Sequence, residues 1–97
     1  MTYTLIYEKL VVKEDIPRLG SNKKRVSEVV LSKLSSHPEL FGHPLSGLLR
    51  GFYKLRVGPY RVVFSIEGDL VKVFKIGHRS SVYKEALERI KRRWLGL

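Results

Sequence analysis

The amino-acid sequence predicts a small α+β domain that spans residues 1–97. Strand-like segments, rich in β-branched and aromatic residues, lie near the beginning of the chain and again in its second half. Two other segments carry apolar residues at helical spacing, one before the second group of strands and one at the end. No repeat, low-complexity tract or flexible linker separates these elements, and a length of 97 residues is typical of one domain.

The first elements are predicted to be a strand and a helical segment. The segment from Tyr3 to Tyr7 is rich in aromatic, aliphatic and threonine side chains, which is typical of a β-strand. The segment from Leu10 to Leu19 is compatible either with an extension of this strand or with a short helix, whose length Pro17 would limit. We expect a helix that begins after about Glu8.

The clearest helix is predicted over residues 21–36. Its apolar stripe consists of Val26, Val29, Val30 and Leu34. Ser21 or Asn22 can cap its start. Pro38 ends the helix, because the residue before a proline is pushed out of the α region. The segment that follows, up to Leu49, predicts an irregular crossing because glycine and proline interrupt it.

The second half of the chain predicts a three-stranded antiparallel meander and a closing helix. The strands are expected at residues 52–57, 60–67 and 70–76. They are separated by two tight hairpin turns, Gly58-Pro59 and Gly68-Asp69. A loop over residues 77–81 leads to an amphipathic helix over residues 82–94. The apolar side of this helix consists of Val82, Ala86, Leu87, Ile90 and Trp94.

The net charge limits the choice of partner. Nineteen Lys and Arg residues stand against nine Asp and Glu residues, which gives a formal charge of +10. Such a charge predicts an anionic partner, with nucleic acid as the first candidate and an acidic protein as the second.

Cysteine content and hydropathy exclude several classes of protein. The chain has no cysteine, so disulfides and thiolate zinc sites are excluded. The opening MTYTLIYEKL lacks the apolar run and cleavage site of a secretory signal. No stretch approaches the ~18–20 apolar residues of a membrane span. We therefore expect a soluble, cytoplasmic protein with no membrane partner.

Three basic residues are predicted to share one face of the meander. A two-residue turn at Gly58-Pro59 sets Arg56 directly opposite Arg61, and alternation puts Lys54 on the same face as Arg56. Like charges directly opposite each other destabilise a sheet. Between residues 42 and 83 the only two acidic residues lie at the far hairpin. An anion bound between these cations is therefore a better interpretation than a solvated face.

The opposite face of the meander is predicted to be apolar and covered by the helix over residues 21–36. This face holds Tyr53, Leu55, Val57, Tyr60, Val62, Phe64 and Ile66. A bulge at Pro59 would shift the pairing by one residue and send Arg56 and Arg61 to opposite faces. Simple pairing around the second turn places Lys75 on the core face, near a strand end.

The loop after the third strand carries His78 and Arg79, and Tyr83 follows at the start of the helix. A loop at a strand end can aim a functional side chain at the sheet, and an imidazole can shuttle a proton near neutral pH. Taken alone, each of these residues is more often an ordinary loop or packing residue. His37 and His43 stand beside prolines, and the histidines lack metal-ligand spacing, so we expect no metal and no cofactor.

Three motifs follow one another between residues 45 and 90. They are a Leu-x-Gly at Leu45–Gly47, GFYKLRVGPYRVVF at 51–64 and IGHRSSVY at 76–83. In this order they closely resemble the RelE family of bacterial and archaeal toxins, within the RelE/ParE toxin superfamily. The resemblance implies a curved, mostly antiparallel sheet, formed by the N-terminal strand and the meander, with two N-terminal helices packed on one face and a C-terminal helix.

The resemblance also implies a function. It implies a toxin of a toxin–antitoxin pair that is neutralised by a small acidic antitoxin of the RelB type. It implies an endoribonuclease that inhibits translation by cutting mRNA in the ribosomal A site, so that ribosome and mRNA are partners. In the enzymes that this chain resembles, the 2′-hydroxyl of the RNA attacks the adjacent phosphate. The products are a 2′,3′-cyclic phosphate and a 5′-hydroxyl, and no metal is needed.

Five positions match the motif residues of the family, namely Lys54, Arg56, Arg61, Arg79 and Tyr83. Guanidinium groups match phosphate oxygens, so Arg61 and Arg79 would stabilise the charge of the pentacoordinate phosphate. Lys54 would be the general base if its cationic neighbours favour the uncharged amine. His78 or Arg79 would protonate the leaving 5′-oxygen, with histidine the easier donor. Tyr83 would stack on or orient a base.

The remaining charge is predicted to steer the domain to RNA and to the antitoxin. The RNA-binding candidates are Lys23, Lys24, Arg25, Arg50, Lys91, Arg92 and Arg93. Two other functions remain open, a ParE-like toxin that inhibits DNA gyrase without nuclease activity and a simple basic RNA- or DNA-binding module. The complete set of basic and tyrosine positions favours the nuclease, because the ParE branch lacks it.

Overall fold

The strands of the computed structural model form one mixed, five-stranded sheet in the order β1-β5-β4-β3-β2. The strands are β1 Thr4–Tyr7, β2 His43–Pro44, β3 Tyr53–Val57, β4 Tyr60–Glu67 and β5 Leu70–His78. Among these strands, β1 and β5 are parallel, and the pairs β5–β4, β4–β3 and β3–β2 are antiparallel. The structure describes residues 2–96, so both ends of the predicted 1–97 domain, Met1 and Leu97, lie outside the described residues. The predicted N-terminal strand and meander are confirmed.

The helices lie before and after the meander, which confirms the predicted α+β class. They are α1 Ile16–Arg18, α2 Lys23–Leu34, α3 Pro38–Phe41 and α4 Val82–Leu95. A π-helical turn, Val11–Asp15, leads directly into α1, so the helical alternative for the first segment is confirmed. Pro17 lies in the first turn of α1, where a missing backbone N–H is tolerated. No helix within residues 2–96 is long and apolar enough to cross a membrane.

Two details of the first half differ from expectation. Asn22 occupies the position before α2, but its side chain makes no capping hydrogen bond. Its Nδ2 instead donates to the hydroxyl of Tyr60 over 3.0 Å, which ties the start of α2 to β4. The predicted irregular crossing contains the short helix α3 and the two-residue strand β2, which pairs with β3.

Apolar clusters cover both faces of the sheet. On one face, Val26, Val30 and Leu34 of α2 are fully buried against the meander, as predicted. On the other face, Val82, Ala86 and Ile90 of α4 pack with residues of β4 and β5. Burial of each aliphatic side chain contributes about 1.5–3 kcal/mol to folding. Trp94 was expected on the apolar side of the last helix, but it is exposed because the helix extends beyond the sheet cluster that ends at Ile90.

A β-bulge alters the face on which Lys75 lies. The register between β4 and β5 shifts between Val63 and Phe64, with Phe74 as the extra residue. Lys75 therefore pairs with Val63 and does not lie opposite Val62, so its predicted place on the core face under α2 is wrong. Its amine is nevertheless buried, and it reaches carboxylates outside the sheet.

Candidate functional site

The hairpin between β3 and β4 has the predicted register. Arg56 pairs with Arg61, and Val57 pairs with Tyr60. Gly58, the first residue of the turn, has a φ of 58°, a conformation that glycine adopts without strain. Lys54 is two residues before Arg56, so these two and Arg61 lie on one face of the sheet. The predicted cluster of cations is therefore formed.

Arg61 is held in a fixed position within this cluster. It is only 8% exposed, and its Nη1 donates to the carbonyl oxygens of Gly58 at 3.0 Å and Tyr60 at 2.8 Å. These bonds orient the guanidinium at the turn and leave the N–H groups of Nη2 and Nε without a partner among residues 2–96. A donor that is already oriented can stabilise an anion without further ordering.

The start of α4 contributes Tyr83 to the face of the sheet that carries Lys54. Tyr83 is in the first turn of α4, half-buried against the cluster that also contains Val63. The Lys54 amine lies 6.0 Å from the centroid of the Tyr83 ring, at the outer limit of a cation–π contact. A shallow cleft beside them is lined by His43, Pro44, Lys54 and Arg56.

The loop that carries Arg79 is fixed against the same hairpin turn. The backbone N–H of Arg79 donates to the carbonyl of Pro59 over 2.8 Å, and the Arg79 side chain is exposed. Arg79 is therefore tied to the turn whose other carbonyl, that of Gly58, accepts from Arg61.

His78 lies on the other face of the sheet. Arg61 pairs with Gly77, whereas His78 pairs with Tyr60, so the register separates His78 from the face of Arg61. The His78 Nδ1 accepts the backbone N–H of Ser80 at 3.2 Å, which places the proton of the neutral ring on Nε2. Its ring packs edge-on against Tyr60 and lines a cavity of about 280 Å³. The structure therefore brings together Lys54, Arg56, Arg61 and Tyr83, but not His78.

The cations of the site have no carboxylate partner within the part of the chain that the structure describes. The ion pairs found there use other cations, namely Lys72, Lys75, Arg89 and Arg93. Within residues 2–96 no group of three or more His, Asp or Glu side chains could hold a metal ion. The arrangement is suited to binding an anion between oriented positive charges.

A family model described as the ParE toxin of type II toxin–antitoxin systems, parDE, matches residues 6–83. The chain belongs to this family. The predicted membership of the RelE/ParE superfamily is thereby confirmed, and the chain is a toxin of a type II toxin–antitoxin system. No curated protein matches it.

Several solved structures share the fold of this toxin. The RelBE2 toxin–antitoxin complex of Mycobacterium tuberculosis is 27% identical, with a TM-score of 0.75 over 81% of this chain and 100% of that chain. A free E. coli RelE with two arginines replaced by alanine is 28% identical, with a TM-score of 0.67 over 93% of this chain and 99% of that chain. E. coli YafQ, at 13% identity and a TM-score of 0.57 over 81% and 96% of the two chains, shows the fold alone.

The predicted steering residues of the toxin fall into two exposed groups. Lys23, Lys24 and Arg25 are in the first turn of α2, and Lys91, Arg92 and Arg93 are near the end of α4. Arg50 is also exposed, in the loop before β3. Arg93 is partly occupied, because its guanidinium lies 2.6 Å from a carboxylate oxygen of Glu8.

An ionic cluster, formed by the buried Asp15 and Lys75 with Arg89 and the partly exposed Glu85, was not expected from the sequence. Asp15 accepts from the Lys75 amine at 2.9 Å and from two nitrogens of Arg89 at 2.8 and 2.6 Å. Glu85 lies 3.1 Å from the same lysine. The cluster fixes α4 against β5 and the N-terminal helical segment. The one available signal was a lysine in the middle of an apolar strand.

Proposed function

We propose that the toxin is an endoribonuclease that cuts mRNA in the ribosomal A site and so inhibits translation. The observation that carries this proposal is the pairing of Arg56 with Arg61 beside Lys54, without a carboxylate partner within residues 2–96. The resemblance of the surrounding motifs to the RelE family implies the same activity. A phosphodiester would relieve the repulsion between these cations.

The proposed reaction is an internal displacement at phosphorus. The 2′-oxygen forms a bond to the phosphorus and loses its proton to Lys54, the proposed general base. The bond from phosphorus to the 5′-oxygen breaks, which gives a 2′,3′-cyclic phosphate and a 5′-hydroxyl. Arg61, oriented by its two carbonyl bonds, and Arg56 stabilise the added negative charge on the phosphate. Cations of the protein thus supply the charge stabilisation without a metal ion.

Arg79 and His78 are the two candidates for the proton donor to the 5′-oxygen. The backbone of Arg79 is bonded to the same hairpin turn that holds the guanidinium of Arg61. His78 has the more suitable proton chemistry, but in the free toxin it lies on the opposite face. We propose Arg79 as the donor in this arrangement. Tyr83 is proposed to stack on a base next to the cleaved bond.

The proposed partners follow from charge and from the relatives. An acidic antitoxin of the RelB type would complement the charge of +10, and the relative from M. tuberculosis was solved as a toxin–antitoxin complex. The cleft between the N-terminal helical segment and α4, about 470 Å³ in volume, is lined by Leu10 and Phe74 and by Lys9, Arg92 and the Arg93–Glu8 ion pair, and it is the proposed place for an antitoxin segment with apolar and acidic side chains. Ribosome and mRNA are the proposed targets, with the whole chain acting as one domain in the cytoplasm.

Inhibition of DNA gyrase is the second candidate function, because the matching family is described as ParE toxin of parDE. The purified toxin should be added in parallel to ribosomes programmed with a defined mRNA and to gyrase with relaxed plasmid. We expect mRNA cleavage with a 2′,3′-cyclic phosphate end, and unchanged supercoiling. Loss of supercoiling without RNA cleavage would contradict the nuclease and support the second candidate. RNA binding without either effect would contradict both.

A further inference from the structure

Arg25 of α2 reaches the same hairpin turn as Arg61, but from the other side of the sheet. A Cβ placed on Gly58 would lie 3.3 Å from Nη2 of Arg25. The hydrogen bond from Asn22 to the Tyr60 hydroxyl holds the start of α2 at this point. Helix α2 covers the face of the sheet opposite to Lys54. Arg25 therefore adds a positive charge at the turn, on the opposite side of the sheet from Lys54.

The carbonyl groups of this turn are already used. The Gly58 carbonyl accepts from the guanidinium of Arg61, and the Pro59 carbonyl accepts from the backbone of Arg79. Arg25 from α2 and Arg61 from β4 thus lie at one exposed two-residue turn, to which the backbone of Arg79 is also bonded. None of them has a carboxylate partner within residues 2–96.

The first turn of α2 is also an unfavourable place for cations. It carries Lys23, Lys24 and Arg25 and has no acidic residue. The N-terminus of a helix is the positive end of its dipole, where cations are destabilising. This unfavourable charge is next to the turn of the candidate site, so an anion bound there would be stabilised by the helix and by the side chains together.

We propose that Arg25 forms a second phosphate subsite, in which it binds a phosphodiester of the RNA substrate next to the one that is cleaved. The inference rests on the proposed nuclease function and adds a path for the RNA. The strand passes over the Gly58-Pro59 turn, with the cleaved phosphate on the face of Arg61 and a neighbouring phosphate on the side of Arg25. A strand with one charge per nucleotide would meet cations on both sides of the hairpin.

The cleavage test compares Arg25→Ala with Lys33→Ala on ribosomes programmed with mRNAs that carry one neutral methylphosphonate at successive positions near the cut. Both changes remove one positive charge from α2, but Arg25 lies in its first turn, beside Gly58, whereas Lys33 lies in its last turn. We expect Arg25→Ala to raise KM about tenfold, as for one charge-assisted hydrogen bond, with little change in kcat. One methylphosphonate position should weaken the wild type and Lys33→Ala equally and leave Arg25→Ala unchanged. Equal KM values for the two variants, or losses in Arg25→Ala at every position, would overturn the subsite.

A binding measurement keeps the subsite separate from the nuclease. A single-stranded RNA that carries 2′-deoxynucleotides cannot be cleaved by the proposed reaction, so its affinity can be followed against salt. We expect the negative slope of log K against log salt to be shallower by about 0.7 in Arg25→Ala than in the wild type, which is the value for one lost phosphate contact on a single strand. An unchanged slope would contradict the subsite. If the slopes of the wild type and Arg25→Ala differ as expected but the wild type never cleaves RNA, the proposed function is contradicted and the subsite remains supported.

Discussion

Arg56 and Arg61 lie directly opposite each other on β3 and β4, and neither has a carboxylate partner within residues 2–96. Opposed like charges of this kind weaken a two-stranded pairing. Arg61 is also buried and bonded to the turn, so it cannot swing away from its neighbour without losing two hydrogen bonds. In the free toxin, Arg56 and Arg61 therefore repel each other at the position where an anionic substrate is proposed to bind.

Replacing Arg56 should increase the stability of the toxin and decrease its activity. We expect Arg56→Gln to raise the free energy of unfolding by ~0.2–1 kcal/mol, because the repulsion from Arg61 is lost, and to reduce RNA cleavage. Denaturant unfolding at low and high salt measures the first effect, which should shrink as salt screens the charges. Arg50→Gln, which removes an exposed charge outside the strands, is the control. A loss of stability in Arg56→Gln would contradict the repulsion.

Replacing Arg61 should remove most of the activity. By analogy with the loss of one oxyanion donor, we expect Arg61→Ala to lower kcat about 10²–10³-fold, which is ~2.7–4 kcal/mol of transition-state stabilisation. Arg61→Lys should recover part of this, because it keeps the charge but loses the fork. Growth arrest on expression should be relieved in step with kcat.

The control for Arg61 is Lys72→Ala, which removes a positive charge from the same sheet at a position paired with Glu67. Denaturant unfolding and antitoxin binding should show that Arg61→Ala is folded. Full toxicity of a folded Arg61→Ala variant would show that the proposed site is wrong.

The identity of the proton donor can be tested with a leaving group that needs no acid. In a substrate with sulfur in place of the bridging 5′-oxygen, the leaving group departs as a thiolate and needs no proton. A missing general acid therefore no longer slows the cleavage of this substrate. We expect Arg79→Ala to be slow on the normal RNA and to approach the wild-type rate on the sulfur substrate, while His78→Ala loses less on the normal RNA. Rescue of His78→Ala instead of Arg79→Ala would reverse the assignment.

Breaking the ionic cluster should destabilise the packing between α4 and β5. We expect Asp15→Asn to cost about 3–5 kcal/mol, because Lys75 and Arg89 would remain buried without a full counter-charge. Arg93→Met breaks a pair whose arginine is 59% exposed, so it should cost less than ~1 kcal/mol. Denaturant unfolding compares the two, and equal costs would contradict the role of the cluster.

The register of the candidate site could be predicted because it depends on local chemistry. A glycine with positive φ and a proline close the turn in two residues, and this fixes Arg56 opposite Arg61. The core helix could be predicted for the same reason, since the spacing of Val26, Val30 and Leu34 defines one buried face.

The rest of the site depends on tertiary packing, which no local pattern encodes. The bulge at Phe74 moved Lys75 to a new partner, and Asp15 binds it from a distant helical turn. The position of Arg25 beside the hairpin turn depends on how α2 lies across the sheet. The separation of His78 from Arg61 follows from the residue-by-residue alternation of β5, which continues two residues beyond the predicted end of the strand.

Whether the 2′-hydroxyl of the RNA is the nucleophile at the site of Arg61 and its neighbours can be decided by a single-atom change in the substrate. Ribosomes would be programmed with an mRNA that carries one 2′-deoxynucleotide immediately 5′ of the cleaved bond, and product ends would be mapped. We expect no cut at that bond in the deoxy-substituted mRNA, a normal cut in the all-ribose control, and a 2′,3′-cyclic phosphate end on the control product. Cleavage at the deoxy position would contradict the proposed mechanism.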